Sequence, residues 1–174
     1  MQWAELFSFA LAYSGVFLIG FAFILGMGVL VSPGAMSQDY PPAIRERYGP
    51  KTQRDRMVSA VMSVLTTLLV FGSPMFAMAA LRDSLDGTIG FLDGFVVGIF
   101  VLLALNIFDL LIVDWLVFCT IQPNRLVLPG TRGMSEYRDY SFHWKVLVPR
   151  PIPWPLLLIP AFGVYCGVIA LIVR

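Results

Sequence analysis

The chain has 174 residues, of which 58% are hydrophobic and 13% are charged, and its mean hydropathy is +0.80. A water-soluble domain of this length needs far less apolar sequence to fill its core, so the composition indicates an integral membrane protein. The net charge of +1 gives no general field that would attract a polyanion, and we expect no nucleic-acid partner.

Four apolar stretches are long enough to cross a bilayer, which takes about 20 residues. They cover residues 6–31, 57–81, 95–121 and 156–173, with the longer loops at 32–56 and 122–155. We therefore predict an all-α integral membrane protein with one domain, a four-transmembrane-helix bundle over residues 1–174. The first stretch lacks the basic segment of a secretory signal and is too long for one, so we interpret it as a retained helix.

The basic residues predict the orientation of the bundle. Ten of the twelve Lys and Arg residues lie in the two longer loops, which fall on the same side of a four-span protein. The positive-inside rule assigns that side to the cytoplasm. We therefore predict that both termini are extracytoplasmic and that the membrane is a bacterial inner (cytoplasmic) membrane.

The third span carries polar residues at membrane depth. Asn106 and Asp109 lie one helical turn apart, and Asp114 follows nearer the loop. An ionisable group inside a membrane is energetically costly, so it is usually paired, buried or functional. On an α-helical wheel, Asp109 and Asp114 lie about 140° apart. We expect Asp109 to face protein, and Asp114 to reach Arg125 or a water at the headgroup boundary.

Two threonines of the second span are the candidate partners of Asp109. Thr66 and Thr67 lie about as far from the loop end of their helix as Asp109 does from the end of its own, roughly ten residues. Together with Asn106 and Asp114 they complete a predicted intramembrane polar cluster. Both a structural hydrogen bond and a proton or ligand site remain open for Asp109.

Glycines predict where helices approach closely. Gly94 and Gly98 form a small-xxx-small pair on the third span, and Gly15 and Gly20 lie on the first. Small residues allow close packing, either inside the bundle or against a neighbouring protein.

Three local signals concern helix boundaries. Thr52 is a plausible N-cap for a helix that runs into the second span, and Pro74 should bend or end that helix. Prolines at every second position from Pro149 to Pro155 favour an extended entry into the fourth span.

The sequence offers little for a metal or a catalytic centre. His143 is the single histidine, which excludes a bis-histidine haem or a histidine-rich metal site, and we predict no metal. It could be an acid–base group or an ordinary interfacial aromatic. Cys119 and Cys166 differ by roughly 15 Å in expected height, too far for a disulfide. Common catalytic motifs are absent, which disfavours an enzyme without excluding one.

These observations leave three functions. The first is an accessory or structural subunit of a larger membrane complex, in contact with lipid and with other subunits or copies of itself. The alternatives are a membrane-embedded enzyme, with Asp109, Asn106 and His143 as candidate catalytic residues, and a proton-coupled transporter that uses Asp109. We predict no cofactor, although the aromatic surface would suit lipid, quinone or pigment, with lipid as the default.

Overall fold

The computed structural model describes residues 3–85 and 87–173, and within these ranges the chain is helical without a strand. The α-helices are α1 (Trp3–Val31), α2 (Pro42–Tyr48), α3 (Gln53–Thr67), α4 (Ser73–Ser84), α5 (Phe91–Phe108), α6 (Tyr140–Leu147) and α7 (Trp154–Val173). Two segments are 3-10 helices, Pro33–Asp39 and Ser135–Arg138, and two are π-helices, Leu68–Gly72 and Asp109–Ile121.

Four continuous helices are long and apolar enough to cross a membrane, as in multi-pass membrane proteins: Trp3–Val31, Gln53–Ser84, Phe91–Ile121 and Trp154–Val173. Each predicted span lies within one of them. The first three have 29, 32 and 31 residues, whereas the last has 20. Since about 20 residues cross the hydrocarbon core, each of the first three has an excess of about ten residues, or roughly 15 Å.

The most extensive helix contact joins α5 to α7. A Cβ atom on Gly98 would lie 2.9 Å from Cβ of Cys166, and one on Gly94 would collide with the backbone carbonyl of Cys166. Gly20 packs on Leu69, with its Cβ position 3.3 Å from that side chain. Gly15 is not at a close helix contact. Apart from the nearby backbone of its own helix, no described atom lies within 4 Å of its Cβ position.

The second long helix changes its winding in front of Pro74. A proline lacks the N–H group and crowds the carbonyl one turn earlier. The π-helix Leu68–Gly72 lies just before Pro74. Two side chains donate hydrogen bonds to backbone carbonyls of this π-helix. Ser73 donates its hydroxyl to the Leu69 carbonyl at 2.6 Å, and Tyr165 donates to the Phe71 carbonyl at 2.5 Å.

Hydrophobic packing forms two separate cores. The larger one lies among the four long helices and includes Phe17, Met78, Val97 and Cys166. The smaller one surrounds the last turns of Asp109–Ile121, and its buried members are Tyr40, Ile44, Phe118, Cys119, Leu128 and Tyr137. We call residues 32–52 and 122–153, which cover this end of the bundle, the cap.

Asp55 fixes the first half of the cap. Thr52 forms the capping box of α3 with Asp55, which confirms the predicted N-cap. The Asp55 carboxylate also accepts hydrogen bonds from the Ser32 hydroxyl at 2.6 Å and the Tyr48 hydroxyl at 2.8 Å. A side chain at Gly34 would collide with both Tyr48 and Asp55, so this close approach requires glycine. These contacts hold the 3-10 segment Pro33–Asp39 against α3.

Candidate functional site: an acidic cavity beside a buried histidine

A cavity of about 280 Å³ lies between the two cores. Four titratable side chains line it: Asp39 from the 3-10 segment, Asp109 and Asp114 from the π-helix, and His143 from α6. We call it the acidic cavity. Gln38 and six apolar residues complete its walls: Phe21, Leu25, Met36, Val113, Phe142 and Val146.

The π-helix explains why Asp109 and Asp114 share one cavity. Residues five apart are joined by hydrogen bonds in a π-helix, so they lie about one turn apart on the same face. The segment Asp109–Ile121 has this winding, and at its end the backbone N–H of Gln122 donates to the Val117 carbonyl five residues earlier. The α-helical wheel that separated the two carboxyls by about 140° was therefore wrong for this segment. π-Helical turns occur frequently at functional sites.

His143 is buried in the wall of the cavity, with 5% of its surface exposed. Its Nδ1 atom lies 3.1 Å from Oδ1 of Asp114, so Asp114 pairs with His143 and not with Arg125, one of the two partners expected for it. Nε2 is enclosed and has no hydrogen-bond partner among the described residues, as is also true of Trp115 Nε1. Leaving a buried polar atom unpaired costs about 1–3 kcal/mol of stability. Such atoms are rare in folded proteins, so the unpaired Nε2 of His143 calls for an explanation at this site.

A side-chain cap positions α6 and with it His143. Asp139 precedes the helix and accepts hydrogen bonds from the Phe142 amide at 3.1 Å and the Ser141 hydroxyl at 2.7 Å. The bond from Ser141, assisted by the bond from Phe142, lowers the pKa of Asp139. The His143 ring packs edge-on against Phe118, with ring centroids 5.0 Å apart.

Asp39 lies at the opening of the cavity. Its side chain is exposed there, but the surrounding protein reduces the hydration of the carboxyl, and this desolvation raises its pKa. The positive charge of Lys51 opposes the rise, while the charge of Asp114 adds to it. Lys51 itself donates to the Ala35 carbonyl at 2.5 Å and to the Ser59 hydroxyl at 3.1 Å, which ties the 3-10 segment to α3.

A second polar cavity of about 280 Å³ adjoins the first. Lys51, Ser59, Ser63 and Thr66 line it together with Ala35 and Met62, and it shares four residues with the acidic cavity: Leu25, Met36, Gln38 and Asp39. The two cavities therefore lie on either side of the 3-10 segment, one acidic and one containing a lysine and hydroxyl groups.

This arrangement separates the predicted threonine partners from Asp109. Thr66 faces the second cavity, and the Thr67 hydroxyl donates to the Ser63 carbonyl at 2.8 Å. In the part of the chain that the structure describes, neither threonine is hydrogen-bonded to Asp109, so the predicted pairing was wrong. Similar height along two helices was not sufficient, because the 3-10 segment lies between them.

Asn106 also has a local role. Its side-chain amide donates to the Leu102 carbonyl, one turn earlier, at 2.7 Å, and Asn106 is not among the residues that line the acidic cavity. The candidate site thus keeps Asp109, Asp114 and His143 from the sequence prediction and gains Asp39.

The four groups suit protons or an organic cation. Carboxylates accept charge-assisted hydrogen bonds from an ammonium group, and each of the four side chains can also hold a proton. Within residues 3–85 and 87–173, no group of three or more His, Cys, Asp or Glu side chains is placed to hold a metal ion. Cys119 and Cys166 are free and buried.

Asp39 could not be found from the sequence, because the loop that contains it has no hydrophobic period and no motif. The sequence contained one signal for α6: Asp139 stands directly before eight residues of which five are hydrophobic, as an N-cap would. Comparison of the chain with family models, with curated proteins and with solved structures gave no match.

Proposed function

We propose that the chain is a multi-pass membrane protein that binds a positively charged organic amine in the acidic cavity. The observation that carries this proposal is the convergence of three carboxyls from two segments, Asp39 from the 3-10 segment and Asp109 and Asp114 from the π-helix, on one cavity beside the buried His143. Carboxyl groups that line one cavity repel each other when ionised, and a bound cation relieves the repulsion.

The orientation follows the basic loops. The cap contains most of the Lys and Arg residues, so the positive-inside rule supports a cytoplasmic cap, extracytoplasmic termini and an inner membrane of a bacterium. The acidic cavity then opens near the cytoplasmic surface, and Asp109 is its carboxyl nearest the bilayer centre. A proton-coupled carrier or a membrane enzyme would both begin with this binding step.

Binding can be tested by thermal stabilisation of the purified protein in lipid nanodiscs. A ligand at 100 times its dissociation constant stabilises the folded state by about 2.7 kcal/mol. We expect butylamine, but not butanol, to raise the melting temperature, and we expect Asp109→Asn and Asp114→Asn to abolish the effect. Asp83→Asn is the matched control, because Asp83 is exposed and pairs only with Arg82 among the described residues.

Two results would contradict the proposal. One is a wild-type protein that butylamine and butanol stabilise equally. The other is a rise in melting temperature with butylamine that Asp109→Asn and Asp114→Asn retain in full, as the control Asp83→Asn does.

A second candidate function is that of a subunit in a larger membrane assembly, and one surface of α1 favours it. Ala4, Ser8 and Ala12 are exposed in successive turns, and Gly15 continues this face with open space at its Cβ position. Small residues allow another helix to approach closely. Mild-detergent purification from the native membrane, with mass spectrometry, should then yield a stoichiometric partner that Gly15→Leu removes. A lone protein would contradict this second function.

A further inference from the structure

An apolar groove of about 410 Å³ runs along the bundle next to the acidic cavity. Ala22, Gly26 and Leu30 of α1 line one side of it, and Phe108, Ile112 and Val117 line the other. The distance from Ala22 to Leu30 corresponds to about 12 Å along a helix, and the volume lies in the range of small-molecule sites. The groove is therefore large enough for an extended alkyl chain.

The groove and the acidic cavity share a wall. Leu25, Met36 and Val113 line both spaces, and Leu25 and Met36 also line the second polar cavity. Met36 lies in the 3-10 segment, and the unbranched thioether side chain of methionine adapts easily to a neighbouring ligand. The carboxyl groups therefore lie behind these shared side chains, and Met36 is the one that can most easily move aside for the polar end of a molecule whose chain lies in the groove.

Charge decides which molecule fits. Lipid tails are as apolar as the groove, so apolar contact alone does not select one occupant from the bilayer. Selection has to come from the polar end, where three carboxyls and a histidine line the adjoining cavity. Arg125 is the one charged side chain among the described residues of the groove, and its positive charge would repel an amine from the groove itself and favour the adjoining acidic cavity.

We propose that the cation of the acidic cavity is the head of an amphiphile: a membrane lipid with an amine head group and an alkyl chain that lies in the apolar groove. This inference rests on the proposed function and specifies the class of ligand. The amine would bind the carboxyl groups of Asp39, Asp109 and Asp114, while the chain lies between α1 and the π-helix.

The test compares butylamine, dodecylamine and dodecanol with the full-length protein in nanodiscs of one fixed lipid composition. Butylamine reports on the acidic cavity alone, and dodecylamine on both spaces. Gly26→Leu should obstruct the groove without disturbing the fold, because Gly26 is exposed and its Cβ position has no neighbour within 4 Å. Gly15→Leu is the matched control for the purified protein, which has no partner subunit, since the Gly15 Cβ position also has no neighbour within 4 Å and Gly15 does not line the groove.

We expect Gly26→Leu to weaken dodecylamine binding by about tenfold or more, the loss expected when about two methylene groups lose their contact, and to leave butylamine binding unchanged. Gly15→Leu should bind both amines as the wild type does. All variants partition the amines into the same bilayer, so the comparison isolates the groove. If Gly26→Leu lowers the ligand-free melting temperature, Ala22→Phe on the same face replaces it.

The possible failures can be told apart. If butylamine does not bind the wild type, the proposed function fails and this inference with it. If butylamine binds but Gly26→Leu binds dodecylamine as tightly as the wild type, only the lipid inference is overturned. Equal binding of dodecanol and dodecylamine overturns it too, because the amine would then select nothing. A smaller particle mass for Gly26→Leu would assign the groove to a second copy of the chain, and this also overturns it.

Discussion

Asp55 provides the most direct test of how the cap is held together. Its side chain is 2% exposed, and one carboxylate receives hydrogen bonds from Ser32, Tyr48 and Thr52. Asp55→Asn keeps the shape of the side chain but removes its charge and turns one acceptor atom into a donor. Because all the surrounding groups donate to the carboxylate, one of them must reorient to accept from the amide, and the others keep only a neutral acceptor.

The expected loss follows from these hydrogen bonds. A bond to a charged group contributes about 1.5–3 kcal/mol and a neutral one about 0.5–1.5 kcal/mol, so each retained bond loses about 1 kcal/mol. The hydroxyl of Ser32 can rotate and accept from the new amide, which leaves the bonds from Tyr48 and Thr52 as the main losses. We therefore expect Asp55→Asn to destabilise the protein by about 2–3 kcal/mol, or roughly 5–10 °C in melting temperature.

Thermal unfolding in detergent, followed by size-exclusion chromatography of the soluble fraction, measures this change. Asp83→Asn is the control, because Asp83 is 69% exposed and its pair with Arg82 should contribute less than about 1 kcal/mol. The reasoning is refuted if the two variants melt within a degree of each other, since the buried carboxylate would then contribute no more than a surface one.

Three further predictions concern packing and pH. Gly98→Val should destabilise the bundle by at least about 1–3 kcal/mol in denaturant or thermal unfolding, because the new side chain meets Cys166, whereas Gly15→Val should be nearly neutral. The lowered pKa of Asp139 gives stability that is present above its unfolded pKa of about 3.9 and is lost as the pH falls through the folded value. Asp139→Ala should therefore cost about 0.5–1 kcal/mol at pH 7 and less in melts at sufficiently low pH, where the protonated carboxyl is a weaker cap. The raised pKa of Asp39 has the opposite effect on stability, since the ionised carboxyl is disfavoured in the folded state. Asp39→Asn should therefore melt at a higher temperature than the wild type at neutral pH, and the difference should vanish below about pH 3.9, the unfolded pKa.

The sequence was sufficient for the parts of the fold that depend on apolar length. The four long helices follow from runs of about 20 or more apolar residues, and the start of α3 follows from the side chain of Thr52. The acidic cavity depends instead on the winding of residues 109–121 as a π-helix, which no local residue pattern announced. Without that winding, Asp114 is assigned to the wrong face, and its contact with His143 cannot be anticipated.

Unequal helix lengths explain why a polar cavity forms at this end of the bundle. Residues 91–121 continue as one helix, but α7 has only 20 residues and packs against α5, not against the π-helical extension. The side of the extension that a longer α7 would cover is free for other parts of the chain. The segment α6 packs against the extension, and it brings His143 to Asp114. A short helix that returns from a loop can carry polar groups into the protein at this depth, whereas a continuous apolar span would have sealed the same space with hydrocarbon side chains. The combination of a long third helix and a short fourth one thus provides both the space for the acidic cavity and the residue that lines its far wall.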